Sequence, residues 1–281
     1  MIWLLLSVLL STMLFVAFKL FSKYSIHVFS AIIFNYLTCF LLGNAYLGSE
    51  HIIHFSVVNE VGFLPIICMG MVFIGTFFLM GVSTHKSGAA LSSMVSKMSV
   101  VIPVIVAMLV LKERIDTMKL VGIALSLFSV VLITNRSNEG TKFNWILILV
   151  FIGSGLVDTG LNLLKNKHYA FWSDAKMSTL LFFGAFVSGL MIMLINPKLI
   201  RNFDFKSALG GVLLGAANFF SLIAMFKAID FYQGKTALFF TMNNVGVVLL
   251  STIVGLAFKE KITTKGYFGL ALAIFALILL N

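Results

Sequence analysis

Leu111 to Ile133 reads LKERIDTMKLVGIALSLFSVVLI, and Phe258 to Leu280, 147 positions later, reads FKEKITTKGYFGLALAIFALILL. Nine of the 23 aligned positions are identical, including a Lys-Glu-basic-Ile turn and a glycine at the same distance beyond it. Shared leucine and alanine prove little in apolar segments, whereas this ordered turn and glycine indicate a duplication. We therefore predict a first repeat at residues 1–135, a linker at 136–142 and a second repeat at 143–281.

The composition is that of a membrane protein. Sixty per cent of the 281 residues are hydrophobic and 11% are charged, whereas soluble domains carry about 25% charged residues. The mean hydropathy is +1.08. The apolar runs last about 17 to 24 residues without alternating with polar ones, which favours helices over barrel strands. The fold class predicted is an all-α, multi-pass integral membrane protein, placed in the inner (plasma) membrane of a bacterium.

Ten transmembrane helices are predicted from the apolar runs. They fall at about residues 1–21, 26–47, 61–82, 87–111, 118–134, 143–165, 175–195, 207–229, 235–258 and 265–281. Because five spans per repeat is an odd number, the second repeat enters the membrane from the opposite side. The prediction is two inverted five-helix repeats around a central cavity, an arrangement typical of secondary transporters that work by alternating access.

The excess of positive charge has a simple explanation in a membrane protein. The net charge of +10 comes from Lys and Arg residues in short loops, where they meet lipid headgroups. The charge count of the loops weakly favours an N-terminus outside the cell. Cys39 and Cys68 lie in apolar segments and predict neither a disulfide nor a metal site. No metal, cofactor or nucleic-acid partner is expected.

Lys97 is the residue most indicative of function. It lies 11 positions after Lys86 and 15 before Lys112, or roughly 16 and 22 Å along a helix, too far for its side chain to reach either interface. An intramembrane cation costs at least ~2.5 kcal/mol and normally faces a cavity or a partner. Ser93 and Ser96 share its helix face. The alternative for these serines is close helix packing.

Further polar residues are predicted at the same depth. Under the 147-position shift, Ser96 and Lys97 correspond to Asn243 and Asn244. Asn218 follows a Gly211/Gly215 pair that is first of all a packing signal. The candidate substrate-binding residues are Lys97, Ser93, Ser96, Asn218, Asn243 and Asn244.

Asp158 is the acidic residue placed deepest in a predicted span. Helical spacing puts it on one face with Ser154, Asn162 and Lys165. Two hypotheses remain open: Asp158 forms a structural ion pair with Lys97 or Lys165, or it titrates during transport, with Asn162 beside it. No catalytic motif occurs, so an enzyme is not expected. The turns at 112–114 and 259–261 are expected to end helices.

The duplicated unit resembles the EamA-type repeat of the drug/metabolite transporter superfamily. Pro103, then Glu113 ten residues on, then Gly122, close an apolar hairpin, and Glu260 and Gly269 repeat the last two elements. The resemblance covers the whole chain, in ten spans and two copies.

The sequence departs from this pattern at three positions. Leu250 stands where the second copy would have the proline, and Ser129 and Ala276 stand where a second glycine often occurs. The resemblance implies a basket-like fold in which spans 3, 4, 8 and 9, with 1 and 6, line a central pathway. It also implies peripheral spans 5 and 10, cytoplasmic termini, and amino acids, other metabolites, sugar derivatives or drugs as substrates, often exported.

The function predicted is that of a secondary, non-ATP transporter of small metabolites such as amino acids, working as an exporter. The alternatives are a membrane scaffold without transport and a multidrug efflux carrier. The expected partners are a small-molecule solute and the lipid bilayer, and the protein is expected to be a monomer.

Overall fold

The computed structural model describes residues 1–48, 63–110, 116–134, 144–167, 173–196, 199, 204–231, 236–260 and 262–280. Within these residues the chain forms eleven α-helices and no strand. The helices are α1 (Ile2–Lys23), α2 (Val28–Leu47), α3 (Phe63–Ser87), α4 (Ala89–Met98), α5 (Val101–Val110), α6 (Thr117–Thr134), α7 (Trp145–Lys167), α8 (Asp174–Ile195), α9 (Phe205–Phe231), α10 (Thr236–Ala257) and α11 (Thr264–Leu279). The all-α prediction is therefore confirmed for the described residues.

Most of these helices are long enough to cross a bilayer. Eight helical segments of the described chain meet the length and hydropathy of a membrane span, and the shorter apolar stretches Trp145–Leu161 and Thr264–Leu279 account for the other two predicted spans. A bilayer core about 30 Å thick needs about 20 apolar residues. The protein is therefore a multi-pass membrane protein.

The predicted fourth span is two helices rather than one. α4 ends at Met98 and α5 begins at Val101. Pro103 has no N–H to donate to the Ser99 carbonyl four residues earlier, and its ring crowds that carbonyl. Ile102 N–H binds the Ser99 carbonyl instead, at 2.9 Å, and the Ser99 hydroxyl donates to the Ser96 carbonyl at 2.6 Å. The break thus follows Lys97 by two residues.

Helices α3 and α9 each pack against helices of the other half of the chain. α3 packs against α7 and α8, and α9 packs against α1 and α2. Gly211 and Gly215 allow the α2–α9 approach, because a Cβ at either position would overlap a backbone carbonyl of α2. The packing role of this glycine pair is confirmed. α4 packs against α7 and α10, while α6 and α11 pack mainly on each other.

The direction of the helices follows from contacts at one end of the bundle. Lys19, near the end of α1, forms an ion pair with Glu260, which follows α10. Asn144, just before α7, donates to the Ser87 hydroxyl at the end of α3. We call this end, where α1, α3 and α10 finish and α4 and α7 begin, the Glu260 end, and the opposite end the Met1 end. The first helices of the two halves, α1 and α7, therefore run in opposite directions.

Candidate functional site

Helix α4 is enclosed by the rest of the bundle. Every residue from Ala89 to Val95 is buried, and so is Met98, whereas Ser96 and Lys97 are half-buried. The apolar side of α4 packs in a core cluster with residues of α6, α7, α10 and α11. An enclosed helix that is accessible only at Ser96 and Lys97 has an open space beside those two residues.

Two contacts join this part of α4 to α7. The hydroxyls of Ser96 and Ser154 share a hydrogen bond of 3.0 Å. One turn further along α7, the carboxylate of Asp158 interacts electrostatically with the ammonium group of Lys97. Among the described residues a direct ion pair joins Lys19 and Glu260, and Lys97 and Asp158 form none. The two charges therefore attract one another across a gap.

Asp158 lies on the side of α7 that faces the interior of the bundle. At about 100° per residue, the strongly exposed apolar residues of α7 fall within an arc of about 60° and mark its lipid-facing side: Trp145, Leu149, Ile152 and Leu156. Asp158 lies about 150° from the centre of that arc. It is nevertheless exposed. An exposed carboxylate on the side opposite to lipid faces an internal space.

The α4–α7 interface is closed toward the Glu260 end and open beyond it. Leu147, Phe151 and Ser154 form one row along α7, starting near its first residue, and all three are buried. Asp158 is the next residue in the row and is exposed. This row of α7 is therefore buried toward the Glu260 end and becomes exposed at Asp158.

Asn243 and Asn244 lie on α10, where it packs against α1. The hydroxyl of Ser7 donates to the Asn243 side-chain oxygen at 3.0 Å, and both residues are buried. Ser7 stands 147 positions before Ser154, as Ser96 stands 147 before Asn243. The Ser96–Ser154 and Asn243–Ser7 hydrogen bonds therefore link positions that correspond under the 147-position shift.

The remaining candidates lie elsewhere or lack a described side chain. Asn218 donates to the Asn35 oxygen at 3.2 Å, within the α2–α9 interface. Ser93 is buried and donates to the Ala90 carbonyl. The side chain of Asn162 lies outside the described residues. The structure thus brings together Ser96, Lys97 and Asp158, and it places Asn218 and Ser93 in packed interfaces.

Sequence reasoning missed the contacts of Glu260. Its turn was expected only to end a helix, and α10 does end just before it, at Ala257. The Glu260 carboxylate also accepts hydrogen bonds from the N–H groups of Ala89 and Ala90, at 2.9 and 3.3 Å, and pairs with Lys19 at 2.9 Å. The duplication marked this glutamate and Glu113, which lies outside the described residues, but no sequence pattern named its partners.

The fold and the site together define a class: this is a polytopic membrane protein whose interior carries polar and charged side chains, including Lys97 and Asp158. Residues 1–135 match the model of the EamA-like transporter family, in agreement with the resemblance seen in the sequence. Members of that family are transporters rather than enzymes.

Two further comparisons cover nearly the whole chain. A protein of Haemophilus influenzae, described as an uncharacterized protein, is 26% identical over 283 residues, which span 96% of this chain and 94% of that protein. A protein of known crystal structure, 16% identical in sequence, covers 97% of each chain with a TM-score of 0.55. The second likeness is one of fold alone.

Proposed function

We propose that this protein is a secondary transporter that exports small metabolites bearing a carboxylate, such as amino acids, across the bacterial inner membrane. The observation that carries the proposal is the pair Lys97 and Asp158. Both groups face one internal space and attract each other without a direct ion pair. Isolated charges inside a membrane are costly and normally mark a solute or ion pathway.

The proposed mechanism is alternating access of two inverted halves. It is supported by the opposite directions of α1 and α7 and by the exchanged packing of α3 and α9. It is supported further by the corresponding hydrogen bonds Ser96–Ser154 and Asn243–Ser7. In carriers built from inverted repeats, one repeat rocks against the other around a fixed site near the membrane midplane. Lys97 lies eight residues into α4, about 12 Å from its start.

The chemistry proposed for the site follows from its charges. Lys97 binds the carboxylate of the solute through a charge-assisted hydrogen bond. Asp158 accepts a hydrogen bond from an amino group, or a proton when the solute has left. At the corresponding positions of the other interface stand Asn244 and Ser11, which are neutral. The proposed pathway therefore has a charged wall on α4–α7 and a neutral polar wall on α1–α10, which would orient a solute with one charged end.

A flux assay tests the proposal. The purified protein is placed in phosphatidylethanolamine–phosphatidylglycerol vesicles loaded with a mixture of isotopically labelled amino acids, and efflux is measured for the parent, Lys97→Ala and Lys265→Ala. Lys265 is an exposed cation at the start of α11 and serves as the matched control. Since a hydrogen bond to a charged group contributes about 1.5–3 kcal/mol, Lys97→Ala should slow efflux about 10- to 100-fold, with Lys265→Ala unchanged. Equal efflux from the parent and Lys97→Ala vesicles would remove Lys97 from the mechanism.

A further inference from the structure

The carboxylate of Glu260 joins the second half of the chain to the first. It accepts N–H groups from Ala89 and Ala90, the first two residues of α4, and it pairs with Lys19 of α1. The Glu260 side chain is 7% exposed and that of Lys19 is 25% exposed. We call these four residues, Glu260, Ala89, Ala90 and Lys19, the Glu260 clasp.

The backbone around the clasp is shaped to bring the carboxylate onto α4. Lys259 has a left-handed φ of 57°, and Glu260 N–H then binds the Gly255 carbonyl at 2.9 Å. A Cβ on Gly255 would lie 2.6 Å from the Glu260 carboxylate, and a Cβ on Gly88 would overlap it. Gly88 also has a φ of +95°, which side chains disfavour. Two glycines therefore leave the space that the carboxylate occupies.

The Glu260 carboxylate lies between two sources of positive charge. The first N–H groups of a helix have no partner within the helix and carry a partial positive charge. The Glu260 carboxylate accepts hydrogen bonds from two of these N–H groups. The ammonium group of Lys19 adds a full positive charge beside the same carboxylate. Charge-assisted hydrogen bonds of this kind are about twice as strong as neutral ones. The glutamine isostere would keep the shape of the side chain and lose the charge.

The position of the clasp relates it to the pathway. It lies at the Glu260 end, where the row Leu147, Phe151 and Ser154 is closed, and it holds the start of the helix that carries Lys97. Opening this end requires α4 and α1 of the first half to separate from the α10–α11 turn of the second half. Two-state transitions of this kind proceed by breaking and forming discrete contacts between packed units.

We infer that Glu260 is a gating residue, whose carboxylate closes the Glu260 end of the pathway by clasping α4 and Lys19 and must release them for that end to open. The gating role rests on the proposed transport function. The contact of Glu260 with α4 and Lys19 can be tested without any transport assay. It extends the role of this glutamate beyond ending α10.

A distance measurement tests the clasp independently of transport. Spin labels are placed at His85 and Tyr267, exposed residues of α3 and α11 near the Glu260 end, in a protein with Cys39 and Cys68 replaced by alanine. Pulsed electron paramagnetic resonance then compares the parent with Glu260→Gln, Lys19→Met and Asp230→Asn. Asp230 is exposed near the Met1 end of α9, so it provides a matched carboxylate-to-amide control.

Breaking the clasp should lengthen the distance between the spin labels at His85 and Tyr267. In Glu260→Gln, the population of the longer distance should rise about tenfold over the parent, with a smaller rise in Lys19→Met and none in Asp230→Asn. Gly88→Ala, which keeps every charge but places a methyl group against the carboxylate, should shift the distance in the same direction and covers the case in which Glu260→Gln fails to fold.

The outcomes separate the clasp from the transport proposal. Parent-like distances in folded Glu260→Gln and Gly88→Ala would overturn the clasp, whether or not the protein moves solute. A shift in both variants, in a parent that releases no labelled amino acid from vesicles, would support the clasp and remove the proposed function.

Discussion

Ser96 and Ser154 share a hydrogen bond of 3.0 Å that crosses from the first half of the chain to the second. Their counterparts under the 147-position shift, Asn243 and Ser7, share a hydrogen bond of the same length across the α1–α10 interface. The two bonds differ in burial, because Ser7 and Asn243 are buried while Ser96 is half-buried.

This difference predicts unequal effects of two alanine substitutions. Ser154→Ala leaves Ser96 able to bind water and should lower the free energy of unfolding by about 0.5–1.5 kcal/mol. Ser7→Ala leaves the buried Asn243 oxygen without its donor and should cost about 1–3 kcal/mol. Unfolding of the purified variants in detergent, followed by circular dichroism, compares the two. A larger loss in Ser154→Ala than in Ser7→Ala would contradict the account.

The contributions of Lys97 and Asp158 to the free energy of unfolding should depend on each other. Lys97→Met or Asp158→Asn alone leaves the remaining charge without its counter-charge, whereas the double variant removes both. We expect the double variant to be more stable than the sum of the single effects predicts, with a coupling of about 0.5–3 kcal/mol. The same unfolding assay on the four proteins gives this value. Strict additivity would mean that the two groups do not face a common space.

The glycines of α9 should be far less tolerant of alanine than a glycine of α3. A Cβ at Gly215 would lie 2.6 Å from the Asn35 carbonyl oxygen, whereas a Cβ at Gly75 would have nothing within 4 Å. Gly215→Ala should therefore destabilise the protein by about 1–3 kcal/mol. Gly75→Ala, the matched control, should be neutral or stabilising by up to about 1 kcal/mol. Similar melting temperatures for the two variants would show that the α2–α9 contact is looser than the structure has it.

His27, which precedes α2, should make the protein less stable in mild acid. Burial lowers the pKa of His27 below 6.5, and the nearby Asp204 carboxylate offsets part of this decrease. Above pH 6.5 both the folded and unfolded states hold the neutral ring, so stability is unaffected. Below pH 6.5 the unfolded state binds a proton that the folded state resists, and stability falls until the folded pKa is reached.

Unfolding of the parent and His27→Gln across pH 5 to 8 measures this contribution. The stability of the parent relative to His27→Gln should decline below about pH 6.5. A difference between the two proteins that is constant over the whole range would contradict the lowered pKa.

The sequence predicts the helical fold better than it predicts the site. Apolar length and the 147-position repeat are enough to place the spans, because a helix must satisfy its own backbone inside a bilayer. The spacing around Lys97 shows that its charge is trapped in the membrane, and the same argument singles out Asp158. The structure places the two residues on adjoining helices, α4 and α7, without a direct ion pair between them.

Other features depend on contacts that sequence spacing does not contain. Ser93 shares a helix face with Lys97, yet it is buried against its own helix backbone. The break after Met98 arises from Pro103, which a hydropathy pattern passes over because proline is tolerated in many spans. Ala89 and Ala90 lie 171 and 170 residues before Glu260 in sequence, and Lys19 lies still further away, so only the three-dimensional fold brings these partners together.

The central claim is that Lys97 and Asp158 face a water-filled space inside the bundle. α7 offers a matched pair of positions for testing it, since Asp158 and Leu156 are both exposed but lie on opposite sides of the helix. The measurement is the rate of reaction of Asp158→Cys and Leu156→Cys with a charged, membrane-impermeant thiol reagent, in vesicles and without the native cysteines. The account predicts that the cysteine at 158 reacts, because water reaches it, and that the cysteine at 156 does not, because lipid covers it. A cysteine at 158 that stays unreactive from both sides, or one at 156 that reacts equally fast, would contradict it.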